Sequence, residues 1–401
     1  MLQVEDARER VLAEIVSGET EFVPFSEAHG RILREDIVAA RDNPAADNSA
    51  MDGYAVRAED IEHAPVSLPV IGDIPAGHPA TRALEPRTAM RIMTGAFVPA
   101  GADTVVQVEL TDGGLEAVAI RQALGRGANV RRRGEDMRAG DVVVHAGVRI
   151  GAGEVAMLVA ADKTSVRVGR RPTVAILSTG DELVEAGETP QPGQIVNTNV
   201  HLLAALVREI GAIPRMLGIV RDTRQATVTA FERAIESDFV ISSGGVSVGA
   251  YDFVKDALES LGAETKFWRV SMKPGKPVVL SRLRDRVLFG LPGNPVSCFV
   301  SFHLFVAPAL RKSMGLEAQL HPSVVRMQLD APLRSAGDRR VYARVHVRAR
   351  DGELVATPLA SQGSGSLTSM IDANGLAVIA EGVTQVDAGS ELPVLLIGAI
   401  A

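Results

Sequence analysis

The sequence predicts a multidomain protein of α+β and α/β character: a central α/β domain, a small β domain inserted near the amino terminus, and a carboxyl-terminal β-barrel-like domain. Three observations carry this. At 401 residues the chain is longer than one hydrophobic core usually serves. From Arg171 onward, apolar runs alternate regularly with stretches of helical period. Before and after that region the apolar runs become short and are punctuated by glycine and proline.

The elements follow in order. Val4, Ala7, Val11, Leu12 and Ile15 recur at helical spacing, Pro24 breaks the pattern, and a second helix is expected from about Ser26. Between about residues 43 and 130, strings such as SLPVIGDIPAGHPA and GADTVVQVEL read as short strands. The next segment, with GDVVVHAGVRI and GEVAMLVAA, is expected to pack with the first helices, which makes the β domain an insertion. The runs TVAIL, RMLGIV, DFVIS and VLFGL then alternate with HLLAALVREIG, ATVTAFERAIE and FVKDALESLG, the pattern of a parallel α/β sheet. After His321, VYARVHV alternates cleanly, Asp351-Gly352 offers a hairpin turn, and LPVLLIG closes the chain. The domains predicted are 1–42 with 133–169, 43–132, 170–318 and 319–401.

Apolar residues make up 46% and charged residues 23%, so the chain can bury a core throughout. The net charge of −7 argues against a broad basic surface for nucleic acid, so any anion must bind at a local site. With Cys298 as the single cysteine, neither an internal disulfide nor a multi-thiolate metal site can form. The amino terminus lacks the apolar region of a secretory signal and no later run has the length of a membrane span, which favours the cytoplasm and no membrane partner.

In a parallel sheet, the loops leaving the carboxyl ends of the strands share one edge, where open α/β folds bind ligands. Here those loops are Ser178-Thr179-Gly180-Asp181-Glu182, Arg221-Asp222, Ser243-Gly244-Gly245-Val246-Ser247-Val248-Gly249 and Pro292-Gly293-Asn294-Pro295. Turns chosen only for backbone freedom would explain the glycines, but not the acids, serines and asparagine beside them. The glycine loop leads into a helix near Asp252, a phosphate-binding arrangement. Asn294 and Pro295 read as the cap and first residue of a helix running to Leu310, whose free donors, with Ser297, can hold a second oxyanion.

Between these loops, Met272-Lys273-Pro274-Gly275-Lys276-Pro277 stiffens two ammonium groups, Lys273 and Lys276. Alone this motif reads equally well as a surface turn; beside two anion loops it reads as part of a site. Asp181, Glu182, Asp222 and Asp252 would repel a phosphate unless a hard cation such as Mg²⁺ stood between them. Each acid alone can also be a helix cap: Asp222 for the helix after it, Asp252 for the next. Asp52, Thr94 and Asp136 lie in ordinary turn sequences, and Asp52-Gly53 by itself favours a hairpin.

Taken together, NSAMDGYAV, RIMTGA with PAGADTVVQVE, RRRGEDMRAGD, LSTGDEL, PGQIVNTN, SGGVSVGAYD, MKPGKP, GLPGNPVS and SQGSGSLTSM with ANGLAVI resemble, in order and over nearly the whole chain, the MoeA family. That family comprises the molybdenum-insertion enzymes of molybdenum-cofactor synthesis and supplies the carboxyl-terminal part of gephyrin. The resemblance implies an elongated homodimer with an active site shared between subunits, and a three-layer α/β part resembling molybdopterin adenylyltransferase, itself a further partner. It implies a Mg²⁺-dependent reaction in which adenylylated molybdopterin and molybdate enter and AMP and molybdenum cofactor leave.

Carried over position by position, the family pattern places catalytic roles on Asp52, Thr94, Asp136, Glu182, Asp222 and Asp252, with Glu182, Asp222 and Asp252 toward the metal. Ser178, Thr179, Gly180, Gly244, Gly245, Ser247, Gly249, Pro292, Gly293 and Asn294 are expected at the pterin phosphate. Lys273, Lys276 and Ser297, with Arg344 and Ser364, are expected at the oxyanion. Asn43-Pro44-Ala45-Ala46 and Ile379-Ala380-Glu381 depart from the family wording, as does Asn197-Thr198-Asn199, where the pterin contacts stay open.

Two other readings compete. Gly245-Val246-Ser247-Val248-Gly249 fits the nucleophile elbow of a serine hydrolase, with His303, His321 or His346 to complete a triad. A non-catalytic molybdopterin-binding scaffold is the second, although carboxylate and lysine sets are superfluous to scaffolding. No zinc spacing, Walker loop or dinucleotide fingerprint occurs. Alternation puts Arg344 and Arg348 on one strand face, for solvent or for a local anion.

Overall fold

A computed structural model describes residues 1–246 and 253–400. Ser247, Gly249 and Asp252, three of the expected site residues, lie outside the described residues.

The first helix, Val4–Ala13, buries Val4, Ala7 and Val11 as its spacing predicts. Its partner differs from expectation: this stripe joins the core of the α/β domain beside Leu304 and Leu310. The segment after the insertion packs instead on residues 20–38, through antiparallel pairs of Thr20–Pro24 with Ser165–Gly169 and Ile37–Val38 with Val142–Val144. Near Ser26 only a single 3-10 turn forms, Phe25–Glu27. Strand pairing on both sides leaves that turn no room to lengthen. The inserted region builds a five-stranded sheet ordered Thr104–Gln107, Gly53–Val56, Ala89–Ile92, Val66–Ile74 and Ala117–Ile120.

In the central domain, the four apolar runs form parallel strands ordered Ile213–Val220, Thr173–Thr179, Phe239–Ser243 and Arg286–Leu291. Two antiparallel strands, Pro277–Leu283 and Glu264–Arg269, extend the sheet, so it is mixed. Alternation feeds two cores: Val174 and Ile176 enter one, Ala175 and Leu177 the other. Helix Asn199–Ile210 covers the first face, with Val200, Leu203, Ala204, Leu206 and Val207 buried, each larger side chain contributing about 1.5–3 kcal/mol. Helices Arg224–Ala234 and Phe253–Ser260 cover the second, completing three layers.

The carboxyl-terminal strands close on themselves. Arg340–Arg350, Glu353–Pro358, Val324–Leu329, Glu391–Leu396 and Gly375–Ile379 pair in that order, and the last returns to the first, giving a five-stranded barrel. The hairpin at Asp351-Gly352 is present, with positive φ at both residues. Ala343, Val345 and Val347 fill the barrel, which turns Tyr342 into the core of the α/β domain and Arg344 toward residues 361–369. Met272–Lys273 pairs with Arg340 and Val341, joining the lysine loop to the barrel.

Candidate active site

At the carboxyl edge of the parallel strands, the loops border a cleft of about 500 Å³. Ser178, Thr179, Gly180 and Glu182 come from the first loop, Asp222 from the second, Gly244 and Gly245 from the third, Pro292, Gly293 and Asn294 from the fourth. The glycines are required by contact. A Cβ on Gly244 would lie 2.7 Å from the Thr179 carbonyl oxygen, and one on Gly245 would lie 2.4 Å from Val254 Cγ2; both residues have positive φ. The backbones of Gly293 and Gly244 pack closely, with a Gly293 Cβ position only 3.7 Å from Gly244 Cα.

Residues that sequence reasoning left open prove central to the wall. Asn197, Thr198 and Asn199 all line the cleft. Ser178 Oγ donates to Asn197 Oδ1 at 3.0 Å, and Asn199 Nδ2 donates to Ser243 Oγ and to the Gly293 carbonyl, each at 2.7 Å. Thr179 Oγ1, Asn197 Nδ2 and Asn199 Oδ1 are buried without a partner among the described residues. Unspent donors and acceptors in a wall are costly unless a ligand or water meets them. An Asn-Thr-Asn string ahead of a helix was the available signal.

Asp222 does not serve as a helix cap here. Thr223, whose Oγ1 accepts from the Ala226 amide at 3.3 Å, caps the helix after Asp222. Burial, then the charges of Asp181 and Glu182, raise Asp222 above the usual carboxylate range, against an opposing hydrogen bond from the Asp181 amide. Glu182 folds over Gly180, where a Cβ would stand 2.6 Å from its Oε2. Among the described residues no group of three potential metal ligands forms. The donor set of Glu182 and Asp222 nevertheless fits a hard cation: oxygen donors only, with charges that raise proton affinity.

Lys273, Lys276, Ser297, Arg344 and Ser364 do not line this cleft; contacts gather their segments at a seam beside it. Gly275, between the lysines, seats on the helix Pro295–Ser301, with a Cβ position 2.8 Å from Ser301 Oγ and 3.6 Å from the Ser297 carbonyl oxygen. Both lysines are exposed. The Val296 amide donates to the Ser364 carbonyl at 3.1 Å, so one helix donor expected for an anion is already engaged. Arg344 is only 1% exposed and donates to Ser369 Oγ and to the carbonyls of Ser361 and Gly363. Burial lowers its proton affinity, with no acid offsetting that effect. Asn294 makes no side-chain cap bond, although it stands at the cap position. The helix it opens gives way at Phe302–Val306 to a π-helical turn before Ala307–Ser313.

Asp52 and Thr94 meet in the inserted domain: Asp52 Oδ1 accepts from the amide and the hydroxyl of Thr94, both at 2.7 Å. These bonds hold Asp52 below the usual carboxylate range, the amide contributing most. Asp136 accepts from Asn43 Nδ2 at 2.9 Å and is exposed. None of the three lines the cleft of its own chain. Of the histidines considered for a triad, His303 is buried with its Nε2 unpartnered among the described residues, and burial pushes it down to about 4. His303 and His321 line other cavities, and His346 Nδ1 contacts the Asp372 carbonyl oxygen.

Comparison with known proteins agrees with this architecture. Residues 2–161 match the family model of the MoeA N-terminal region (domain I and II), 175–312 a probable molybdopterin binding domain, and 326–397 the MoeA C-terminal region (domain IV). Similar proteins include the molybdopterin molybdenumtransferase of Nostoc sp., 42% identical over 94% of this chain and 88% of that protein. The molybdopterin molybdenumtransferase of Bacillus subtilis is 38% identical over 99% and 94%. The crystal structure of the molybdopterin biosynthesis moeA protein from Pyrococcus horikoshii OT3 superposes with a TM-score of 0.86 at 31% identity, covering 99% of this chain and 100% of that one. In sequence, over nearly its full length, and in fold, the chain belongs to the MoeA family.

Proposed function

We propose that this protein is a molybdopterin molybdenumtransferase that acts on adenylylated molybdopterin and molybdate, in a Mg²⁺-dependent reaction that releases AMP. The observation that carries this reading is the pairing of a polar cleft, whose Thr179, Asn197 and Asn199 atoms are unspent, with an acid pair inside it and a cationic seam beside it. The names of the relatives point the same way.

The glycine loops bring backbone close to the phosphate groups of the pterin substrate, where amides rather than side chains receive negative charge. Asn197 and Asn199, already tied to Ser178, Ser243 and Gly293, orient it with their remaining polar atoms. Lys273, Lys276 and Arg344 offset the charge of the oxyanion, and Ser297 and Ser364 stand at the same seam. Glu182 and Asp222, with Asp252, would hold Mg²⁺, which would supply positive charge to offset the pyrophosphate oxygens. Because Asp52, Thr94 and Asp136 stand apart from their own chain's cleft, they complete the site from the second subunit of a homodimer. We place the protein in the cytoplasm, where it receives its substrate from molybdopterin adenylyltransferase. Among the described residues no helix is long and apolar enough to cross a membrane.

The test is AMP release from adenylylated molybdopterin by purified protein. Molybdate and Mg²⁺ together should drive it, and Asp222→Ala should abolish it. A wild-type protein that binds the substrate yet releases no AMP would favour the scaffold reading.

A further inference from the structure

A second cavity of about 500 Å³ opens where three parts of the chain meet. Arg149 comes from the segment paired with the amino-terminal strands, Arg311 from the helix Ala307–Ser313, and His321 from the connector into the barrel, with Leu396 of the barrel alongside. Every charged side chain lining it is cationic or can become so.

One lining group, and a cation beside the lining, have polar atoms without a partner among the described residues. Nδ1 of His321 is buried without a hydrogen-bond partner among the described residues, as are Nε and Nη2 of Arg8 on the first helix. Arg311 Nη1 donates to the Leu320 carbonyl at 2.8 Å, which holds the guanidinium against the connector without neutralising it. Burial lowers the proton affinity of His321, and the charges of Arg8 and then Arg311 lower it further. Burial and then Arg149 act on Arg311 in the same way. Two carboxylates stand nearby. Glu5, on Arg8's own helix, is engaged by Arg340. Glu317 lies over Gly147 at the rim. Cationic groups gathered in a partly shielded cavity, as half-buried Arg311 and His321 are beside exposed Arg149, repel one another unless an anion joins them.

We propose that this cavity binds a small tetrahedral oxyanion, inorganic phosphate or the terminal phosphate of an ester, held between Arg149 and Arg311 with His321 donating a hydrogen bond. Arginine forks suit phosphate oxygens, and the volume leaves room for more than a single phosphate group. The site is separate from the cleft: the two share no lining residue. An anion here would join the amino-terminal region, the α/β domain and the barrel, and would stabilise their joint by mass action.

The experiment follows the His321 ring signal by NMR in the full chain, assigned with His321→Gln, while inorganic phosphate, pyrophosphate or a nucleoside monophosphate is added. The local probe excludes anions bound at the cleft. Phosphate should move the signal and raise its titration midpoint, and Arg149→Gln, at an exposed position, should weaken the response about tenfold. Equal affinity for phosphate and the monophosphate identifies a free-anion site, and tighter binding of the monophosphate an ester site. A signal unmoved by all three at about 10 mM, or equal affinity in wild type, Arg149→Gln and Arg311→Gln, overturns the proposal.

Discussion

The amide of Asp222 donates to Oδ1 of Asp181 at 3.2 Å, and the amide of Asp181 returns a bond to Oδ2 of Asp222 at 3.4 Å. This exchange ties together the loops after two adjacent parallel strands and holds the Asp222 carboxylate in the lining of the cleft. Because burial and like charges raise Asp222, the fold favours its neutral form, and ionising it costs stability as pH rises above the ordinary aspartate value. At low pH a cation competes with that proton. Mg²⁺ affinity, measured by titration calorimetry at a series of pH values, should therefore rise with pH and level off above the raised value. Asp222→Asn should remove most of this dependence without lowering stability.

The pairing of Asp52 with Thr94, remote from the cleft residues, leads to a complementation test. Asp52→Ala and Asp222→Ala should each be inactive, yet subunit exchange between them should restore about a quarter of wild-type AMP release, since half the dimers then carry one intact site. If exchanged mixtures stay inactive, both residues serve a single chain and the shared site is wrong.

Gly245 tests the glycine loop. A methyl group at its Cβ position would stand 2.4 Å from Val254 Cγ2 at a φ of +65°. Gly245→Ala should cost about 2–3 kcal/mol in chemical denaturation and weaken substrate binding, whereas Gly389→Ala, with φ +80° but open space, should cost only about 1 kcal/mol.

His303 should shape the acid limb of stability. Its folded value, about 4, lies below the ordinary histidine value of 6.5, so the stability it contributes is complete above that higher value and is lost as pH falls from 6.5 toward 4. The total is about 3 kcal/mol. His303→Gln should flatten the urea stability profile across that window; an unchanged slope would place the proton elsewhere.

How far the sequence reached depended on whether a feature was local. Each strand of the parallel set came from a continuous apolar run, and Asp351-Gly352 announced its hairpin, because such signals sit in neighbouring residues. The destination of the first helix did not, since Val4, Ala7, Val11 and Ile15 define an apolar stripe without saying which core receives it. Nor could spacing reveal that Met272–Lys273 would pair with the barrel, or that Ser364 would reach the amide of Val296. In the site, the loop acids were legible as composition. The roles of Asn197 and Asn199 depended on partners up to 94 positions away, which no local window contains.

The most direct measurement counts two products in one reaction: AMP by chromatography, and molybdenum carried by the pterin by mass spectrometry. With adenylylated molybdopterin, molybdate and Mg²⁺, both should accumulate in equal amounts from wild-type protein. AMP without inserted molybdenum, or molybdenum inserted while AMP stays attached, would contradict the coupling of cleft and seam.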